Sequence, residues 1–388
     1  MNFNFLSPVS ENVLAHTELL SNQALGKKIR VHSAQHGLPE LDGVSIAIIG
    51  VAENRNDIDF IGEELNFGGV RRALYSLFEG NWHCSIADLG DLLPGASIED
   101  TYYALRTCLS VLIEKNIVPI IIGGSQDLTY VNYRAYDEIK PMVNIVSVDA
   151  KFDLGDAALP LKNNSYVGKV IVDEPYNLFN YATLGYQTYF NSQEEIDLMD
   201  RLYFEPYRLG EITANISLAE PVVRDANIIS IDLKSIRASE FVGRQKCSPN
   251  GFNGRDICAI TRYAGISNKV SSFGIYEYRM TDKGDINDML IAQMIWYFIE
   301  GYNARVNDDD FHNDKAFQKY RVLVEKDELI FYKSLKTNRW WIEIPFLPEV
   351  SNKLKKHTLL ACSYEDYLRA TQDEIPERWF KAYRKNIV

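Results

Sequence analysis

Apolar residues along this chain gather into short unbroken runs, separated by stretches with helical spacing. Val44 to Val51 (V-S-I-A-I-I-G-V) is one such run, and it predicts the first strand of a parallel sheet buried on both faces. Ser85 to Leu92 reads as a weaker second strand, and Val118 to Ile122 (V-P-I-I-I) as a third, closed by Gly123 and Gly124. Val143 to Val148 (V-N-I-V-S-V) is the strand around which the rest is organised, because it delivers Asp149 and Asp153 to its carboxyl end. Asn227 to Leu233 and Val270 to Glu277 are two more strands that reach an acid at or near their ends, Asp232 and Glu277. Val167 to Val172 and Gly185 to Phe190 are read as further strands.

Helical spacing fills the gaps. Helices are expected over Asn12–Asn22, Val70–Leu77, Asp127–Ile139, Gly254–Gly265 and Asp288–Tyr302. Ser97 with Asp100 three residues on is close to a capping box, and the helix it opens places Leu105, Cys108, Leu109 and Leu112 on one face. Ser192 heads another, with Glu194 and Glu195 where the helix dipole favours acids. Strands alternating with helices predict a three-layer α/β/α fold with a mostly parallel sheet.

After Arg305 the pattern changes. Val306 to Asp314 carries four aspartates and reads as a linker. Glu328–Lys333 and Arg339–Ile344 look like two strands of a small C-terminal α+β extension. Ser363 with Asp366 caps a short helix there, and Pro376 opens the last one. The expected division is a leader over 1–43, a main α/β domain over 44–305, and the extension over 306–388. Trp340, Trp341, Trp379, Phe380 and Tyr383 crowd the extension; they either pack it onto the main domain or stand out as anchors for a partner.

Composition narrows the function. The 388 residues are 46% hydrophobic, enough for a large core. The net charge of −12 and the lack of a basic run argue against nucleic-acid or anionic-membrane binding. No apolar stretch is long enough to span a membrane, and Met1 to Ser10 lacks a secretory pattern, so a cytoplasmic protein is expected. Cys84, Cys108, Cys247, Cys258 and Cys362 show no C-x-x-C spacing and are expected to be reduced and mostly buried.

Chemistry concentrates where strands end, as ligand sites do in open α/β sheets. Three polar clusters follow three strands: Gly123-Gly124-Ser125-Gln126-Asp127, Asp149-Ala150-Lys151-Phe152-Asp153, and Ser230-Ile231-Asp232-Leu233-Lys234-Ser235. In this order they resemble the ureohydrolase superfamily of arginase, agmatinase and formimidoylglutamase. That family carries G-G-D-H, D-A-H-x-D and S-x-D-x-D at these places, and uses them to bind two manganese ions. The resemblance covers about Val44 to Arg305 and lies closest to the formimidoylglutamase branch. It implies the arginase-type fold, a homo-oligomer, and a substrate-binding acid at Glu277.

Three expected ligands are replaced. Gln126 and Lys151 stand where the family has histidines, and Lys234 where it has an aspartate. Asp149, Asp153 and Asp232 remain. A protonated ammonium does not ligate a metal, so the two lysines are expected to act as counter-charges to the aspartates, with no cofactor bound. Plainer readings stay open: Asp149 and Asp153 as loop caps, Lys151 as a surface lysine, Gln126 as a helix-start residue, and Glu277 as an ordinary strand-end acid. Gly123 and Gly124 serve backbone geometry, through positive φ or close approach.

Two functions follow. One is a ureohydrolase homologue with a degenerate metal site that binds a small amidine ligand or a protein partner. The other is an active, manganese-dependent hydrolase of the C–N bond in an amidine or guanidine. The loss of both metal histidines favours the first.

Overall fold

The computed structural model describes residues 3–242, 248–280, 284–308, 311, 315–325, 327–345 and 358–387. Ten strands make the main sheet: β1 (Leu6–Ser7), β2 (Arg30–Val31), β3 (Ile46–Val51), β4 (Ile86–Leu92), β5 (Val118–Gly123), β6 (Val143–Val148), β7 (Leu178–Tyr186), β8 (Glu205–Arg208), β9 (Ile228–Asp232) and β10 (Ser272–Tyr276). Their spatial order is β1-β4-β3-β5-β10-β9-β6-β7-β8, with β2 also paired to β4. The pairings are parallel except β1 with β4. The order explains the site: β5, β10, β9 and β6 are consecutive neighbours; β5, β9 and β6 end in the three polar clusters and β10 leads into Glu277.

Side chains alternate between the two faces along each strand. Ile46, Ile48, Ile120, Ile122, Ile229 and Ile231 join one core, covered by helices Gly68–Ser76, Gly254–Ile266 and Gly284–Asn303. Ala47, Ile49, Ile121, Ile145 and Ile228 join the other, covered by helices Ile98–Glu114, Leu128–Arg134 and Tyr166–Val172. The result is the expected three-layer arrangement, with both faces of the central strands dry.

The capping reading at Ser97 holds. The Asp100 N–H donates to Ser97 Oγ at 3.2 Å, and the Ser97 N–H donates to Asp100 Oδ2 at 2.8 Å. Replacing Ser97 by alanine is expected to cost about 1 kcal/mol, read as a shift of the urea midpoint at constant slope. An unchanged midpoint would mean that burial alone holds this helix.

Two strand expectations need correction. Val167 to Val172 lies in the helix Tyr166–Val172, not in a strand. Tyr166, Val167 and Val170 are buried on one side, so packing overrides the β-branched composition. Gly185 to Phe190 is not a separate strand: β7 runs from Leu178 to Tyr186 and a 3-10 turn follows at Thr188–Phe190. The helix expected over Asp127–Ile139 is shorter, Leu128–Arg134. Gly123 and Gly124 serve close approach rather than positive φ; a Cβ on Gly124 would lie 2.0 Å from the Glu53 carbonyl oxygen.

The C-terminal unit is an antiparallel sheet of β11 (Phe317–Val324), β12 (Asp327–Ser334), β13 (Trp340–Ile344) and β14 (Thr358–Cys362), with helices Tyr364–Ala370 and Glu377–Ile387. Part of the expected linker, residues 309–310 and 312–314, falls outside the described residues. Trp340, Trp341 and Trp379 are buried, whereas Phe380 is 46% exposed. The tryptophans pack in the unit's own apolar clusters, and buried polar contacts join it to the main domain. Arg224 lies 4.4 Å from the Trp341 ring centroid and donates to the carbonyls of Trp340 and Cys362 at 3.1 and 3.0 Å. The Ala361 N–H donates to Asp225 Oδ2 at 2.7 Å. From the other side, Arg378 Nε donates to Glu205 Oε2 at 2.6 Å.

Among the described residues, Cys84, Cys108, Cys258 and Cys362 are not joined in disulfides with one another, and Cys247 lies outside them. No described helix is long and apolar enough to cross a membrane.

Candidate functional site

The carboxyl ends of β6, β9 and β10 line a cavity of about 240 Å³, and the turn after β5 is bonded to Glu277 on its wall through the Gln126 N–H. Asp149, Lys151, Asp153, Asp232, Lys234 and Glu277 all line it. The sequence motifs therefore converge, and for a structural reason. Each parallel strand carries its polar cluster off the same edge, and the strand order sets those clusters side by side.

Asp149 follows β6, Asp153 the turn after it, and Asp232 ends β9. One carboxylate oxygen from each lies within 4.8 Å of the others, and all three residues are buried. Such a group of oxygens suits a hard divalent cation. Asp149 Oδ1 accepts the Lys151 N–H at 2.9 Å, while Asp149 Oδ2 is buried without a hydrogen-bond partner. Asp153 sits in the left-handed region at φ +51°, a conformation that turns its side chain back toward Asp149 at some backbone cost.

The lysines offset part of what burial and mutual repulsion do to this group. Burial first, and the Asp153 charge second, push the Asp149 carboxyl well above the usual carboxylate range. Burial and the Asp232 charge push Asp153 up to about 7. Lys234 lowers both, and Lys151 lowers Asp153, but repulsion and desolvation outweigh them. The lysines thus act on the aspartates as counter-charges, while burial and mutual repulsion still leave Asp149 and Asp153 raised. The Lys151 side chain is exposed, with Nζ 5.9 Å from the Phe190 ring centroid.

Lys234 is placed differently. Its Nζ lies 2.5 Å from Glu277 Oε2, and its side chain is 33% exposed while that of Glu277 is 0%. Glu277 Oε1 accepts two further bonds, from the Gln126 N–H at 3.0 Å and from Asn163 Nδ2 at 2.8 Å. Glu277 is therefore a buried, fully engaged carboxylate at φ +65°. Gln126 is buried, and its side-chain amide donates to Ser230 Oγ at 2.9 Å, tying the β5 turn to β9. Its Oε1 is buried without a hydrogen-bond partner. Gln126 is thus more than a helix-start residue.

Some residues of the site were missed from the sequence. Asn163 bridges Glu277 and Asp57, donating to Asp57 Oδ1 at 2.9 Å. Arg279 pairs with Asp57 and lies 3.1 Å from Glu63. Asp59 and Phe190 also line the cavity. The polar run Glu53 to Asp59, directly after β3, was a usable signal because it leaves the same edge of the sheet. Asn163 carried none; it arrives from a loop. Burial also lifts Asp127, beside Gln126, to about 6, with the Tyr102 hydroxyl donating to it.

Residues 45–300 match the family model described as the arginase family. The formimidoylglutamase of Streptococcus gordonii is 27% identical over 290 residues, which cover 70% of this chain and 88% of that one. The solved Trypanosoma cruzi formiminoglutamase with Mn2+ superposes with a TM-score of 0.59 at 16% identity, over 69% of this chain and 96% of that one. The formimidoylglutamase of Bacillus subtilis superposes with a TM-score of 0.60 at 17% identity, over 71% and 97%. Family model, relatives and fold agree with the three strand-end motifs. The chain belongs to the arginase family, the ureohydrolases, with formimidoylglutamases among its relatives.

Proposed function

We propose that this protein keeps the ureohydrolase fold but does not hydrolyse amidines, and that it holds one divalent cation at Asp149, Asp153 and Asp232. One observation carries the reading: the Lys234 ammonium stands against Glu277, the acid that the family resemblance assigns to the substrate. A lysine replaces a metal ligand and also satisfies the substrate's carboxylate. The donor set argues against two ions. Lys151 and Lys234 present ammonium groups, which repel divalent cations and have no lone pair while protonated. Three convergent buried carboxylates fit a single hard ion, with the unpartnered Asp149 Oδ2 available to it. The earlier expectation of no cofactor is replaced accordingly. Catalysis of the family kind needs a metal-activated water beside a bound amidine, and the site offers Glu277 already engaged.

The alternative, an active hydrolase of a linear amidine such as formimidoylglutamate, draws support from the relatives and from the retained aspartates. One experiment separates the two. The full chain is loaded with manganese, desalted, analysed for metal, and assayed with formimidoylglutamate, arginine and agmatine. About one ion per chain and no turnover are expected. About two ions together with turnover would overturn the proposal. The homo-oligomer and the cytoplasmic location belong to the same reading; light scattering on purified protein and fractionation of cells test them.

A further inference from the structure

Three contacts of Glu277 differ in kind. The Gln126 N–H belongs to the turn after β5. The Asn163 amide is itself anchored to Asp57. Both are neutral framework donors. The third partner is the Lys234 ammonium, at the end of a flexible stem that lines the cavity and is a third exposed. A buried carboxylate needs a cation, and here the chain supplies its own. Glu277 also holds a left-handed backbone angle, as expected of a side chain whose aim is set by the surrounding structure.

We infer that Lys234 is a tethered plug and the residue that sets ligand specificity. Its ammonium occupies the place in the cavity where a small planar cation, an amidinium or guanidinium, would pair with Glu277. The native cavity therefore excludes such cations and admits only ligands that leave the Lys234–Glu277 pair intact. This rests on the non-hydrolytic reading above. The two neutral donors sit on Oε1 and the ammonium on Oε2, the oxygen for which a ligand cation would compete with it.

The test uses the full chain and two probes, formamidinium and agmatine, with binding measured by calorimetry and by thermal shift. The proteins are wild type, Lys234→Ala, and Lys234→Ala combined with Glu277→Gln. Lys234→Ala is expected to bind formamidinium at least about tenfold more tightly than wild type, the size of one charge-assisted hydrogen bond. Adding Glu277→Gln is expected to erase the gain. If Lys234→Ala does not fold, Lys234→Gln keeps one N–H donor for Glu277 and carries the same expectation. Equal binding by wild type and the lysine variant overturns the plug, as does a gain that survives Glu277→Gln. Turnover assays on the same samples keep the two ideas apart. Turnover by wild type overturns the non-hydrolytic reading and the plug with it. A missing gain in an inactive protein overturns the plug alone.

Discussion

Replacing Arg378 by methionine is expected to destabilise the protein by about 3–5 kcal/mol, the loss typical when one partner of a buried ion pair is removed. Arg378 and Glu205 are both buried, and Arg378 Nε lies 2.6 Å from Glu205 Oε2. Burial acts to raise the Glu205 carboxyl, but the charges of Arg378 and Lys385 win and hold it at about 2, against an ordinary 4.5. The methionine keeps the stem's packing and takes from the carboxylate its directly bonded cation. Glu205 lies on β8, the last strand of the sheet order, whereas Arg378 lies in the C-terminal helix. The change should therefore also loosen the extension. Urea denaturation reads the stability, and limited proteolysis beyond residue 305 reads the docking. Glu205→Gln added to Arg378→Met should recover part of the loss, since the Glu205 carboxylate is then no longer left beside a methionine. A loss below about 1 kcal/mol would mean that apolar area alone docks the extension. The pair also has a pH signature. A carboxyl depressed in the folded state adds stability above its unfolded value of 4.5. That stability fades as the pH falls from there toward about 2, and the double variant should lack this fading.

Stripped of divalent ions by a chelator, the protein is expected to lose up to about 4 kcal/mol as the pH rises from about 4 to about 7. The sign is opposite to that of Glu205. Asp153 is raised in the folded state to about 7 from 3.8, so the folded chain binds the proton more tightly than the unfolded chain. Stability is greatest below the unfolded value and is lost as the pH climbs through the folded one. Asp149 shifts in the same direction, driven by burial and by Asp153. Manganese should restore the loss near neutrality by replacing the protons. Asp153→Asn should flatten the slope and abolish the manganese effect. The variant is informative because asparagine tolerates the left-handed angle found at this position. A metal-free protein whose stability is level between these pH values would contradict the picture of a cation-seeking triad.

Much of the fold was legible from the chain. β3, β5, β6, β9 and β10 are short apolar runs, buried because helices cover both faces of the sheet, and such runs identify themselves. Ser97, Ser192 and Ser363 announced helix starts, and all three form capping boxes. What stayed hidden is weak in composition. β8 is four residues, Glu205–Arg208, with a proline inside it, as edge strands often are. β11 alternates exposed polar residues with partly buried ones, and the helix at Tyr166 is made of residues that favour strands.

By itself the sequence determined the layered α/β fold, the family, and which acids stand at the carboxyl ends of the central strands. These are local properties: apolar runs, turn glycines and motif spacing are written residue by residue. Only the tertiary structure decided how the charges are shared. Lys234 follows β9 and Glu277 follows β10, and their pairing arises because those strands are neighbours in the sheet although far apart in the chain. Lys151 sits between two aspartates in sequence, yet its side chain is exposed at the cavity wall, near the Phe190 ring. Electrostatic partnership depends on distance and burial in space, and neither is set by position along the chain.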